Sequence, residues 1–249
     1  MTLWNRYDHA FFESITETSQ HSAGKIVPFV LAILPAQSVV DVGCGEGSWL
    51  AEFHRHGIDD VLGLDGDYVP RDVMKIPATS LVQCDLSRPF SLNREFDLAI
   101  CLETGEHLPE SRAAGLVADI TRLAPQVLFS AAIPFQRGTH HVNCQWPDYW
   151  QDLFAAQDYL AFDVIRPRLW NEGEVAYWYR QNLVLYVRRD EVGKNPRLSP
   201  SLAASGPLKR MVHPVLCDEW DGFGFREVLG MLPLAFKKAV GRRLHSRAV

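Results

Sequence analysis

The chain alternates short apolar runs with stretches whose apolar residues recur at helical spacing. Strand-like runs cover Ser38 to Val42, Val61 to Leu64, Ser80 to Cys84, Phe96 to Leu102 and Gln126 to Ala132, and helical patterns cover Ser48 to His56 and Glu110 to Leu123. This order predicts an α/β fold with right-handed β-α-β crossovers, a mainly parallel sheet and helices on both of its faces. After Ile133 come a long polar and aromatic connection, a predicted helix from Trp146 to Gln157, and two more β-rich runs. These last runs, Ala161 to Ile165 and Asn182 to Val187, are near enough in sequence to pair as a hairpin. No internal repeat is present. Ligands of such sheets lie beyond the carboxyl ends of the strands, at the point where strand order reverses.

The flanks read differently. Residues 1 to 21 interleave Trp4, Tyr7, Phe11 and Phe12 with polar groups, the pattern of a short packing helix or of a lid over a site. Ser22 is placed to cap a second helix through Lys25 to Leu34, ended by Pro35. From about Arg188 the composition turns to Gly, Pro, Ser and charge, which predicts a linker. Phe225 to His245 then joins an apolar set to Lys237, Lys238, Arg242 and Arg243, a basic amphipathic helix that either docks back on the domain or contacts an anionic membrane surface. The expected organisation is a ligand-binding domain at 1–190, a linker or extension at 191–224 and a C-terminal helical tail at 225–249.

Composition narrows the class. At 249 residues, 47% hydrophobic and a formal net charge of -5, the chain can bury a sizeable core and has no overall basic footprint for nucleic acid. Its five cysteines, Cys44, Cys84, Cys101, Cys144 and Cys217, are odd in number and form no C-x-x-C pair, which argues against a disulfide framework or a structural zinc site. With no secretory signal and no window of about 20 apolar residues, a cytoplasmic protein is expected, membrane-peripheral only if the tail binds lipid, and a monomer or homodimer.

The chemistry concentrates at Val39 to Gly47, where an apolar strand runs into Gly43, Gly45 and Gly47 and a helix must start at once. Glycine lets a ligand approach the backbone and permits positive φ. The G-x-G-x-G spacing stops short of the dinucleotide fingerprint, since Ser48 stands where that motif wants a small apolar packer. Asp41 adds a carboxylate that a pyrophosphate would disfavour. S-adenosylmethionine fits better, with an ammonium for Asp41, ribose hydroxyls for a second acid and no phosphate. Asp65, followed by Gly66, ends the second strand 22 residues after Gly43, the distance at which an acid meets ribose hydroxyls in this topology; Asp67 is a weaker candidate.

This stretch resembles motif I of the class I S-adenosylmethionine-dependent methyltransferases. The likeness extends from Tyr7 to about Arg188 and is carried by D-V-G-C-G-E-G-S-W-L, L-G-L-D-G-D-Y-V-P-R, F-D-L-A-I-C-L-E, E-H-L-P-E, T-H-H-V-N-C-Q-W-P-D-Y-W and W-Y-R-Q-N. These runs are similar to a bacterial group often found with polysaccharide or secondary-metabolite genes. The resemblance implies a Rossmann-like seven-stranded sheet with its last strand antiparallel, and S-adenosylmethionine as cofactor with S-adenosylhomocysteine as product. It implies adenine contacts at Asp85 and Leu86, and a methyl-donor pocket lined by the segment holding Leu102 and Glu103. The group more usually shows Gly at Phe135 and Arg137 and Glu at Cys144, so this chain departs in its acceptor loop.

Methyl transfer from a sulfonium needs alignment and exclusion of water, and a hydroxyl acceptor also needs its proton taken. His141 is the expected base, with His140 second and His107 either a base or a structural histidine bonded to loop backbone. Asn143 is expected to orient the acceptor. If the last strand is antiparallel, its beginning lies on the same rim, so Tyr177 to Asn182 faces the pocket; this adds Tyr179, Arg180 and Asn182, with Trp170 at the end of the strand before and Trp146, as acceptor-side residues. Trp146, Trp150 and Trp178 read equally well as core. His140 and His141 could ligate a metal with Glu103 or Glu106, but adjacent side chains diverge and no i, i+4 pair exists, so no metal is expected.

The expected function is O-methylation of a sugar, a glycan or another small hydroxylated metabolite. The alternatives are N- or C-methylation of a secondary metabolite and a non-catalytic S-adenosylmethionine-binding protein. Asp41 and Ser48 disfavour an NAD-dependent oxidoreductase. Nucleic-acid methylation is disfavoured by the acidic balance and by the lack of an N/D-P-P-Y/F tetrad after the fourth strand.

Overall fold

The computed structural model describes residues 9–69, 71–198 and 202–221. The chain divides into two compact units, Met1–Met211 and Val212–Val249.

In the first unit, α1 (His9–Ile33) leads to β1 (Ser38–Val42), α2 (Ser48–Arg55), β2 (Asp60–Asp65), β3 (Leu81–Gln83), β4 (Leu98–Leu102), α3 (Glu110–Thr121) and β5 (Gln126–Ser130). There follow α4 (Pro147–Ala155), β6 (Tyr159–Phe162), α5 (Arg166–Leu169), α6 (Tyr177–Asn182) and β7 (Val184–Arg188). The seven strands form one sheet in the order β3-β2-β1-β4-β5-β7-β6. The strands β1 to β5 pair in parallel, and β7 runs antiparallel to both β5 and β6. This is the Rossmann-like α/β sheet with a reversed last strand that the sequence resemblance implied. Strand order reverses between β1 and β4, so the crevice at their carboxyl ends is where a ligand belongs. Asp41 sits in this central position, in register with Gly63 on one side and Ile100 on the other.

Because successive strand residues face opposite sides, each central strand feeds two cores. Val39, Leu98 and Ile100 pack with Ala23, Ile26, Val27 and Val30 of α1 and with Trp49, Leu50 and Phe53 of α2. On the other face, Val40, Val42, Ala99 and Cys101 pack with Ala113, Leu116, Val117 and Ile120 of α3 and with Trp150 and Phe154 of α4.

Three expectations are corrected. The two N-terminal helices are one helix of 25 residues that passes straight through Ser22. The buried stripe Ala23, Ile26, Val27, Val30 is continuous with it, and Ser22 is itself fully buried, its hydroxyl accepting from the Ala176 N–H at 3.0 Å rather than capping. The approach to the last strand, Tyr177–Asn182, is helical, and the strand starts only at Val184. Trp170 follows the short helix α5 instead of ending a strand.

The stretch expected as a linker is held along this unit as far as Met211. Val192 and Leu198 enter the first core. The last carbonyls of α1 have no partner within the helix; Asn195 Nδ2 donates to that of Ile33 and an Arg197 guanidinium N–H to that of Ala32, both at 2.9 Å. Further on, Gln151 and the Gly206–Leu208 backbone bond each other reciprocally, and Arg210 forks onto Asp148. In the second unit, Pro214–Asp221 forms α7. The basic tail at 225–249 lies outside the described residues. No helix among those described is long and apolar enough to cross a membrane.

Candidate active site

The turn after β1 is built from backbone. Gly43, Gly45 and Gly47 have φ of 86°, 53° and 83°, a region that L-residues enter with difficulty. Space excludes side chains as well: a Cβ on Gly43 would lie 2.3 Å from Thr104 Oγ1, and one on Gly47 2.9 Å from Ile76 Cγ1. The turn is tied to β2 by the Gly43 N–H on the Leu64 carbonyl at 2.8 Å, and α2 begins directly after Gly47.

Asp65 closes this turn from the next strand. Its Oδ2 accepts from the Gly45 N–H at 2.6 Å, and its Oδ1 from the Gly66 N–H at 2.7 Å and the Tyr68 hydroxyl at 2.5 Å. Asp41 and Asp65 are both buried. Burial pushes the Asp41 carboxyl well above the usual range, with the neighbouring Asp65 charge adding to it. Burial also raises Asp65, against the pull of its hydrogen bonds from Tyr68, Gly45 and Gly66. Asp85 contrasts with both. It is exposed, caps its own turn by accepting from the Ser87 hydroxyl and N–H at 2.6 and 3.0 Å, and is lowered first by the Ser87 hydroxyl. Leu86 beside it is buried in the second core, and its carbonyl accepts from Arg112 Nε at 2.9 Å.

Across the switch point, Leu102 ends β4 and Glu103 turns the chain at φ 50°. The Glu103 carboxylate is held by amides: Oε1 accepts from Asn182 Nδ2 at 3.1 Å and Oε2 from Gln136 Nε2 at 2.9 Å. Gln136 Oε1 in turn accepts from Asn182 at 2.9 Å and from Gln181 Nε2 at 3.2 Å. Burial raises Glu103, and the bonds from Asn182, Ser130 and Gln136 pull it back. This network joins β4, the loop after β5 and α6. Gln136 escaped the sequence reading, and Gln181 entered it only within the W-Y-R-Q-N run, because an amide in a loop or a short helix leaves no periodic mark.

Beyond Glu103, one turn and one loop meet. Glu106 is fully buried, and neither of its carboxylate oxygens has a hydrogen-bond partner among the described residues. Its backbone carbonyl accepts from the Val142 and Asn143 N–H groups at 2.8 and 3.0 Å, which fixes the loop after β5 against it. His141 Nε2 stands 4.0 Å from Glu106 Oε1, and its Nδ1 lies 3.2 Å from the Gln136 carbonyl. The His107 and His141 rings meet edge to face at 5.0 Å. Gly138 makes the room: a Cβ there would lie 2.0 Å from His141 Nε2. Burial, then the His141 charge, pushes His107 down to about 4. Burial also lowers His141. Glu106 is pushed well up by burial and by the Glu103 charge. The cluster is therefore two imidazoles lowered by burial beside a buried carboxyl raised by burial and by the Glu103 charge.

The other expected acceptor residues divide. His140, in left-handed backbone at φ 58°, stands outside this cluster. Asn143 is buried and braces the loop, its Oδ1 accepting from Gln145 Nε2 at 3.0 Å. Tyr179 packs in the first core, edge-on to Trp49 at 5.1 Å, with burial raising its hydroxyl to about 12. Trp146 faces the Arg210 guanidinium at 5.6 Å, and Trp150 is core. Arg180 reaches the Trp170 carbonyl at 3.5 Å, while its Nε is buried without a partner. Asn182 is the acceptor-side residue that the fold brings onto Glu103. Phe135 is exposed and adopts φ 75°, the backbone that the glycine usual at this position in the resembling group would take without strain.

Two buried strand-end acids, a glycine turn without a phosphate cradle and a reversed seventh strand define a class I methyltransferase fold. Residues 12–168 match the methyltransferase-domain family model, and the chain belongs to that family. It is an S-adenosylmethionine-dependent methyltransferase.

The fold is shared with Streptomyces venezuelae DesVI, at a TM-score of 0.55 and 17% identity over 74% of this chain and 99% of that one. It is shared with the sugar N-methyltransferase KedS8 of a Streptoalloteichus species, at 0.59 and 19% over 76% and 95%. A third is the S-adenosylmethionine-bound amino pentose methyltransferase CalS10 of Micromonospora echinaspora, at 0.55 and 17% over 74% and 98%. No curated protein matches the chain.

The residues present fit the cofactor. Asp41 and Asp65 are buried acids whose charge a cationic, hydroxylated ligand would compensate, and the turn beside them leaves no room for Cβ atoms at Gly43 and Gly47.

Proposed function

We propose that this enzyme methylates an oxygen of a small hydroxylated acceptor, a sugar or a glycan unit, and that the histidine cluster takes the acceptor's proton. The observation that carries the reading is the cluster itself, where His107 and His141 are held neutral beside Glu106 at the carboxyl-end rim. A hydroxyl is too weakly acidic to react unaided near neutrality, so it needs such a base, whereas an amine needs only to lose one readily lost proton.

The bound cofactor supplies an activated methyl group on a sulfonium. In this reading Asp41 receives its ammonium and Asp65, with Gly66, its ribose hydroxyls. Asp85 and Leu86 flank the adenine, and Leu102 and Glu103 border the methyl donor. His141, whose Nδ1 faces the Gln136 carbonyl, offers Nε2 to the acceptor hydroxyl. Glu103, fixed by Asn182 and Gln136, keeps the floor of the site in place. Free cysteines throughout the described residues suit a reducing cytoplasm.

The test is a methyl-transfer screen over matched hydroxy and amino sugars, with the methylated atom located by NMR. Methyl on oxygen, with His141→Ala losing about 10²–10⁴-fold in turnover while S-adenosylhomocysteine affinity holds, is expected. Methylation confined to amines would sink the reading in favour of N-methylation.

A further inference from the structure

We propose that Glu106, His107 and His141 form a binding site for one divalent first-row transition-metal ion. The ligand atoms of these three side chains all lie within 4.8 Å of one another. They come from two chain segments, the turn after β4 and the loop after β5, that the fold locks together at the Glu106 carbonyl. The sequence had offered His140 beside His141 as a ligand pair, whose side chains diverge; the structure pairs His141 with His107 instead.

Three observations point to a cation rather than to a structural cluster. First, Glu106 is fully buried, yet neither carboxylate oxygen has a hydrogen-bond partner among the described residues. A buried carboxylate persists when it is paired or coordinates a metal, and each exception calls for an explanation. Second, His141 already has the outer support that metal-bound histidines use, with one ring nitrogen on the Gln136 carbonyl and the other turned toward Glu106 at 4.0 Å. His107 is likewise in hydrogen-bond contact with the backbone at His140 and Thr139. Third, space is reserved for this arrangement, since any side chain at Gly138 would collide with His141.

The geometry sets the metal. Bonds of about 2.1 Å at tetrahedral angles place ligand atoms about 3.4 Å apart, so side chains whose ligand atoms lie within 4.8 Å of one another close by at most about 1.4 Å. Two imidazoles and one carboxylate suit Mn, Fe, Co or Zn better than Mg or Ca, which prefer oxygen throughout. Three protein ligands leave coordination positions open. Resting on the hydroxyl acceptor proposed above, one of those positions would take the acceptor oxygen; with the ion bound, His141 Nε2 is a ligand rather than the base, and the ion would acidify the bound hydroxyl so that its proton is lost to solvent.

The experiment uses untagged full-length protein stripped with a chelator and dialysed. Calorimetric titration with Zn2+, and Co2+ read by its visible absorption, should each show one site per chain. Glu106→Gln and His107→Ala should weaken that site by at least tenfold, while His56→Ala, whose ring pairs with Glu52 at the end of α2, leaves it unchanged. S-adenosylhomocysteine binding by each variant confirms an intact fold. Failure of the stripped protein to bind either ion stoichiometrically, or equal affinity in all three variants, overturns the site. Metal binding with methylation confined to amines would retain the site and retire the hydroxyl acceptor. Full hydroxyl methylation by protein that binds no metal would do the reverse.

Discussion

The two halves of the crevice are made of different material. Beneath β1 and β2, the site is backbone: three left-handed glycines, N–H groups gathered on Asp65, and an acid buried in mid-sheet. Beneath β4 and β5, it is side chain: Glu103, Gln136, Gln181 and Asn182 in one amide network, and Glu106, His107 and His141 in another cluster. A backbone site tolerates no change of shape and suits a ligand that never changes. A side-chain site keeps its fold while its chemistry is exchanged, which suits an acceptor that differs from enzyme to enzyme.

Substitution should break the two halves separately. The largest effect is expected from Gly43→Ala, where left-handed backbone and a Cβ 2.3 Å from Thr104 Oγ1 act together. A loss of roughly 3 kcal/mol of stability follows from strain plus overpacking, read as a lower melting temperature, and the displaced turn should also bind S-adenosylhomocysteine more weakly, by about tenfold or more. Binding within a factor of three of wild type would show that the turn is not where the cofactor rests.

On the other side, Asn182→Ala leaves Glu103 with one amide donor fewer. About 1–3 kcal/mol of stability should be lost, with turnover reduced and cofactor affinity nearly unchanged. Equal damage to both would merge the halves that the geometry separates.

The smallest effect is one of pH. Burial raises Asp41 above its unfolded value, so the folded chain holds a proton that the unfolded chain has lost. Its contribution to stability is present at low pH and disappears as pH rises through the folded value. With the cofactor's ammonium on Asp41, as proposed above, binding needs the carboxylate, releases that proton and weakens as pH falls through the same window, by at most about tenfold per pH unit. Calorimetry of S-adenosylhomocysteine in buffers of differing ionisation enthalpy measures the proton. Asp41→Asn should abolish the release, and a release that survives the substitution assigns it elsewhere.

This division also explains what could be read in advance. The glycine turn, Asp41 and Asp65 lie at the ends of two neighbouring strands, and their spacing alone announced them. The acceptor half draws on residues from 103 to 182 whose proximity exists only after folding, so His141 and His107 were each legible as candidate histidines while their pairing and the brace Gln136 were not. The errors in the fold have local causes. Ser22 has the right chemistry for a cap, but a helix stripe continuing through it prevails. The aromatic run at Tyr177–Asn182 mimics a strand, yet it folds as a helical turn that delivers Asn182 onto Glu103. Phe135 occupies a glycine's conformation, which its side chain gives no hint of.

Tyr68 gives the cofactor side a property of its own. Its hydroxyl sits on the Asp65 oxygen that also meets the Gly66 N–H, and its ring lies where a Cβ on Gly66 would come within 2.1 Å. In the reading proposed above, a ribose diol that reaches Asp65 finds a tenant there. Capture of the nucleoside becomes an exchange of one hydroxyl for another, with little net change in hydrogen bonds. On that reading the phenol keeps a buried acid satisfied between turnovers and competes with spent cofactor for the same oxygen.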